Sequence, residues 1–181
     1  YNDVAPLLDL QPGVSVSQDG GLGKAAAVRI RGEDGFRTRI LLDGIDIADP
    51  SSPQVSPRVE QLLSAGLQRI EILRGPQGLL YGADAGGVIA ISTLQPQDGL
   101  NGRLGLETGA NGFSRVNTQI AGGSEQLRGS LSVADLDTDG FNARADDQTL
   151  SDRDGYRNQT LHATATATLS PFWQVGASVH S

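Results

Sequence analysis

An α/β unit followed by an antiparallel, all-β unit is the fold class that the sequence predicts. Three observations carry that expectation. Up to about Gln97, short helical and strand-like patterns alternate between glycine and proline turns. Beyond Gln97, apolar and polar residues alternate with no helix signal. The 181 residues are 38% hydrophobic, enough for a real core, so wholesale disorder is excluded.

In the first half, Asn2-Asp3-Val4 opens a short helical turn, with Asn or Asp as cap, that closes before Pro12-Gly13. Val14–Ser17 reads as a strand and Asp19–Gly23 as a loop. Val28–Arg31 alternates like a strand, and Ile40–Leu42 runs into the turn signal Asp43-Gly44. Pro50, Pro53 and Pro57 mark an exposed loop. Val59–Ala65 has helical spacing, Leu67–Leu73 reads as a strand, and Val88–Thr93 closes the half as another.

The second half reads as about five strands: Arg103–Gly109, Ser114–Ile120, Leu127–Val133, Leu161–Leu169 and Trp173–Val179. Their connections are Asn111-Gly112, the turn at Gly122–Glu125, a polar loop over Asp137–Arg157, and Ser170-Pro171. Alternation of this kind fits a soluble sandwich or a membrane barrel. Three features favour an outer-membrane barrel. One face carries Arg, Glu, Asn, Gln and Thr, which suits a wet lumen. The longest loop falls at the end opposite the two short turns. Phe172-Trp173 stands at the short-turn end, where an interfacial aromatic belongs.

Composition narrows the function. Thirteen arginines and one lysine (Lys24) stand against 21 acidic residues, a net charge of −7, and no basic patch for nucleic acid exists. The absence of cysteine excludes disulfides, thiolate catalysis and cysteine-ligated metals. No run of 18 apolar residues is present, hence no transmembrane helix; a transmembrane strand needs only about 9–11 alternating residues. With no methionine, Tyr1 is read as other than a translational start, in a processed product or a fragment. Gly20–Lys24 imitates a phosphate loop, but Gln18 replaces its first glycine and Ala25 its magnesium-holding hydroxyl. A Ser-His-Asp site would have only His162 and His180 to draw on, both in strand-like segments. No catalytic cluster emerges, and no enzyme is expected.

Several segments then stand in a telling order: Gln11–Val14 (QPGV), Val28–Gly32 (VRIRG), Ile40–Ile45 (ILLDGI), Leu67–Gly82 (LQRIEILRGPQGLLYG) and Ala85–Thr93 (AGGVIAIST). This order resembles the plug domain of TonB-dependent outer-membrane receptors, in which PGV, IRG, LLDG, RIEVLRGP, YG and GGVINI follow the same course. Ala90 stands where the family usually has Asn. The resemblance implies a plug domain over 1–97, lacking its N-terminal part and the TonB box. Residues 98–181 would be the first strands, about five, of a truncated outer-membrane β-barrel of about 22 strands. It further implies that Arg31, Glu60, Glu71 and Arg74 make buried ion-pair or lumen-wall contacts seating the plug.

Within the family the likeness is nearest to cobalamin receptors. Gln18–Gly32 aligns without gaps to their first apical loop and the strand after it, and the ligand-meeting positions fall on Asp19, Leu22, Ala25, Ala26 and Ala27. The second apical loop falls on Asp49, Pro50, Ser51, Ser52 and Pro53. Asp152–Tyr156 resembles their calcium loop, which implies Asn142, Asp152 and Asp154 as ligands to calcium. The implied function is energised uptake of a scarce, bulky nutrient, cobalamin or a ferric siderophore, across the outer membrane of a Gram-negative bacterium. The implied partners are TonB with ExbB/ExbD, the nutrient, and outer-membrane lipid. The alternative is a soluble, β-rich envelope module for binding or structure.

Overall fold

The computed structural model describes residues 2–51, 54–75, 81, 86–143 and 153–181. The chain divides into two compact units, Tyr1–Thr93 and Leu94–Ser181.

The first unit opens with helix α1 (Val4–Asp9), whose Val4, Ala5 and Leu8 are buried. Pro6 is tolerated because a first-turn N–H has no helical partner to lose. Asp3 precedes the helix, yet its side chain makes no cap bond. The neighbouring chain supplies a backbone partner instead: Val4 N–H donates to the Leu62 carbonyl at 3.0 Å, and Asp3 bridges Leu63. Burial pushes the Asp3 carboxyl above its usual value.

Strands β1 (Val14–Gln18) and β2 (Ala26–Ile30) form a hairpin running from Val14 opposite Ile30 to Gln18 opposite Ala26. A four-stranded sheet follows, in the order β4-β3-β6-β5: β3 is Thr38–Leu42, β4 Ile45–Asp46, β5 Leu67–Arg74 and β6 Gly87–Thr93. Strand β6 runs parallel to β3 and antiparallel to β5. Asp43 (φ +47°) and Gly44 (φ +84°) form the two-residue β3–β4 turn, both in the left-handed region that such turns demand. The Asp43 carboxylate accepts from the Thr93 N–H (2.9 Å) and hydroxyl (2.6 Å), tying that turn to the end of β6. Gly87 has φ +138°, and a Cβ there would sit 2.6 Å from the Leu73 carbonyl oxygen, so only glycine lets β6 start beside β5. Val4, Leu8, Ile30, Ile40, Val59 and Ile89 close the core.

One expectation changes here. Val59–Ala65 is not helical beyond a single 3₁₀ turn, Val59–Gln61. Leu62–Ser64 is drawn out to bond with Asn2–Val4, which outcompetes the local helical spacing. Of the four charged residues expected in buried ion-pair or lumen-wall contacts, Glu60 is buried and paired with Arg58. Glu71 pairs at the surface with Arg69 (2.7 Å), while Arg31 and Arg74 are exposed.

The second unit is a five-stranded antiparallel meander: β7 (Gly99–Thr108), β8 (Ser114–Gly123), β9 (Leu127–Thr138), β10 (Tyr156–Ser170) and β11 (Trp173–His180). One face carries Leu100, Leu104 and Leu106 of β7, Val116 and Ile120 of β8, Leu131 and Val133 of β9, and Val175 and Val179 of β11, all exposed. On the opposite face Ser130, Ser132, Thr160 and His162 are buried. The expected loop over Asp137–Arg157 is shorter, because β9 and β10 stay paired out to Thr138 opposite Tyr156.

Candidate functional site

The first candidate loop connects β1 to β2. Asp19 N–H donates to the Ala25 carbonyl (3.0 Å), and Lys24 N–H to that of Gly21 (3.3 Å). Gln18 Nε2 donates to the Gly21 carbonyl at 3.2 Å. Asp19 and Ala25 are thereby side by side and exposed, with Leu22 half-buried between them. Ala26 and Ala27 open strand β2, half-buried. The loop's small side chains leave its backbone accessible, so it offers shape and one carboxylate rather than a polar cluster.

The second loop leaves β4 and returns at Arg58. Its base is a bridge between Ala48 and Pro57, reinforced by Asp49 N–H to the Ser56 carbonyl at 3.0 Å. The Asp49 carboxylate accepts from the Ser51 N–H (2.9 Å), the Ser51 hydroxyl (2.6 Å) and Arg58 Nη1 (3.1 Å). Those bonds, Ser51 first, hold the Asp49 carboxyl below its usual value. Arg58 Nε reaches the buried Glu60 carboxylate, which raises the Arg58 pKa further. The exposed turn is thus latched through one guanidinium to a buried carboxylate. Sequence reading passed over Arg58; its signal is the Arg58-x-Glu60 spacing after a proline-marked loop. Ser52 and Pro53 lie outside the described residues.

In the second unit, β9 and β10 end in a charged, open cleft of about 500 Å³ lined by Asp137, Asp139, Arg153, Tyr156 and Arg157. Asp139 pairs with Arg153 at 3.2 Å. Asp154 accepts from the Ala143 N–H at 2.9 Å, bringing it within one residue of Asn142. Asp152 lies outside the described residues. Among the described residues no group of three or more His, Cys, Asp or Glu is placed to hold a metal.

Residues 1–89 match the family model of the TonB-dependent Receptor Plug Domain. The vitamin B12 transporter BtuB of Photobacterium profundum is 31% identical over 175 residues, covering 95% of this chain and 28% of that protein. The chain therefore spans under a third of that relative's length. Among solved structures, the siderophore receptor PirA from Pseudomonas aeruginosa shares 26% identity at a TM-score of 0.68, over 99% of this chain and 31% of that one. The ferripyoverdine receptor of the outer membrane of Pseudomonas aeruginosa aligns at a TM-score of 0.77 and 20% identity, over 99% of this chain and 23% of that one. All three are named as transporters or receptors, not enzymes. The chain belongs to the TonB-dependent receptors of the Gram-negative outer membrane, with their plug domain in its first half.

Proposed function

We propose that this chain is the N-terminal part of a receptor that takes up cobalamin across the outer membrane, driven by TonB with ExbB/ExbD. The observation that carries the reading is the inverted patterning of the second unit, joined to a plug. Its apolar face is exposed and its small polar face covered, as in a barrel wall between lipid and a wet lumen. The soluble-module alternative would leave Leu100, Leu106 and Trp173, at 82%, 73% and 70% exposure, facing water. A further 17 or so strands would then close the wall. The likeness to a B12 transporter supports cobalamin over a ferric siderophore.

The two plug loops would meet the substrate, and the acidic end of the β9–β10 hairpin would take calcium through Asn142, Asp152 and Asp154. Calcium prefers six to eight oxygens, so the ion would recruit carbonyls and water beside those side chains. Ordering that loop before substrate arrives lowers the entropy lost on binding. Binding of cyanocobalamin to the full-length receptor in detergent is the test. Calcium raises affinity over chelator, and Asp152→Ala with Asp154→Ala abolishes the difference; by linkage, cobalamin raises calcium affinity by the same factor. A receptor that ignores cyanocobalamin and binds a ferric siderophore would overturn the substrate. Equal cobalamin affinity in calcium and chelator would remove the metal.

A further inference from the structure

Among the described residues, the second plug loop is held at two points. At its base, Ala48 bridges Pro57, and Asp49 N–H donates to the Ser56 carbonyl at 3.0 Å. At its side, the Arg58 guanidinium joins the Asp49 carboxylate (3.1 Å) to that of Glu60. Arg58 is the sole cation between Ile45 and Gln68, so the loop has no second one to take its place. Glu60 is the fixed end. It is 4% exposed and sits in the 3₁₀ turn Val59–Gln61, whose Val59 is wholly buried. Immediately after that turn, Leu62–Ser64 is bonded to Asn2–Val4, and Leu63 is buried.

Between those two ties the backbone is strained. Val55 has φ +46°, in the left-handed region that a β-branched residue resists. Its side chain is 48% exposed, so burial in the plug core does not offset the strain. A strained residue persists only where its surroundings over-determine it. The Asp49 carboxylate gathers those surroundings: it accepts from the Ser51 N–H (2.9 Å) and hydroxyl (2.6 Å) while Arg58 holds it from outside the turn. Without the guanidinium, the turn keeps its internal bonds but loses its tie to the core. Arginine suits the role because its planar fork donates to two carboxylates in fixed directions, which a lysine ammonium does not.

We propose that Glu60 and Arg58 are positioning residues for substrate. The buried carboxylate fixes the guanidinium, the guanidinium fixes Asp49, and the loop, strained Val55 included, is set in one conformation before substrate arrives. A loop ordered in advance loses less freedom on binding. Glu60 acts on substrate only through Arg58 and the loop. The inference rests on the reading of this loop as one that meets substrate.

The test is stopped-flow and equilibrium binding of cyanocobalamin to the full-length receptor in detergent, beside amide exchange at Asp49 and Ser51 without ligand. Arg58→Ala, Arg58→Lys and Glu60→Leu should each speed that exchange. Glu60→Gln, which keeps an acceptor, should lie between Glu60→Leu and the wild type. If the released loop is competent about a tenth of the time, apparent affinity falls about tenfold. The loss should lie in the association rate, because the bound loop makes the same contacts; a lost substrate contact would raise the dissociation rate instead. Arg58→Ala with Glu60→Leu should do no more harm than either alone, since the groups act as one chain. Wild-type exchange and association rates in the folded variants would overturn the proposal, as would a loss confined to dissociation. Should the Glu60 variants fail to fold, Arg58, at 53% exposure, still carries the test. A receptor that ignores cyanocobalamin defeats the substrate reading instead. The exchange arm then decides the latch alone: faster exchange in Arg58→Ala upholds it and unchanged exchange overturns it.

Discussion

In the first unit Ile30, Ile40 and Ile89 are wholly buried, whereas in the second Leu100, Leu106 and Trp173 stand outside while Ser132 and His162 are covered. Both units are built from strands of similar residue types, so propensity does not separate them. The solvent does. The first unit removes its apolar side chains from water, the ordinary driving force of a globular core. The second spends its apolar side chains on the outside, where they gain only if the surroundings are oil. Its inner strands β8, β9 and β10 are paired on both sides, which is the condition for living there. The same alternation therefore means opposite things in the two halves, and burial alone tells them apart.

Substitutions can break this contrast from either side. The largest effect is expected at Ile89, fully buried in β6: Ile89→Ala removes contacts on both sheet neighbours and should cost about 2–5 kcal/mol, read as a lowered plug unfolding midpoint in the purified receptor. Next comes the outer face of the second unit. Leu131→Arg on β9 should cost about 2–4 kcal/mol if it faces the bilayer midplane, and outer-membrane assembly should fall accordingly. Thr166→Lys, on the polar face of β10, should assemble normally; equal defects would erase the distinction between faces.

The smallest effect sharpens the picture of the plug loops. Asp49→Asn should leave the sheet intact and speed amide exchange between Ala48 and Ser56, where the Asp49 carboxylate organises the turn. Because that carboxyl lies below its ordinary 3.8 in the folded chain, folding favours its ionised form. The contribution is complete above about pH 4 and is lost as the pH falls through the folded value. Wild-type exchange in this loop should accordingly approach that of the variant in acid, with the two alike once the carboxyl is protonated.

Much of this was legible in the sequence, for reasons that can be named. Strands β3, β5 and β6 announce themselves because apolar runs end at turn residues, Asp43-Gly44 above all. The helical spacing of Val59–Ala65 misleads because long-range bonds from Asn2 and Val4 decide its conformation, and spacing cannot see them. The ends of β9 and β10 read as loop because Asp137 and Arg157 put charge on the face that is apolar further along the strands; pairing, not patterning, extends them. At the candidate site, the resemblance to cobalamin receptors singles out the two plug loops but not the Arg58 latch, whose partner Glu60 is buried for tertiary reasons. His162 and His180, equidistant from Pro171 in their turn, face one another across β10 and β11, a juxtaposition that sequence spacing about a turn foreshadows.

The interlock of Asp135 with Gln159 (2.5 Å) and Arg157 (3.6 Å) marks a waterline on the outer face of the β9–β10 hairpin. Below it, Leu161 to Leu169 presents Leu and Ala outward, a length that matches the roughly 9–11 residues a tilted strand needs to cross oil. Beyond it, the paired strands run on through Thr138 and Tyr156 for three residues, or roughly 10 Å. Beyond the apolar band the hairpin is thus stiffened by its own ladder. A substitution beyond the Asp135–Gln159 interlock therefore leaves the apolar band of β9 and β10 untouched.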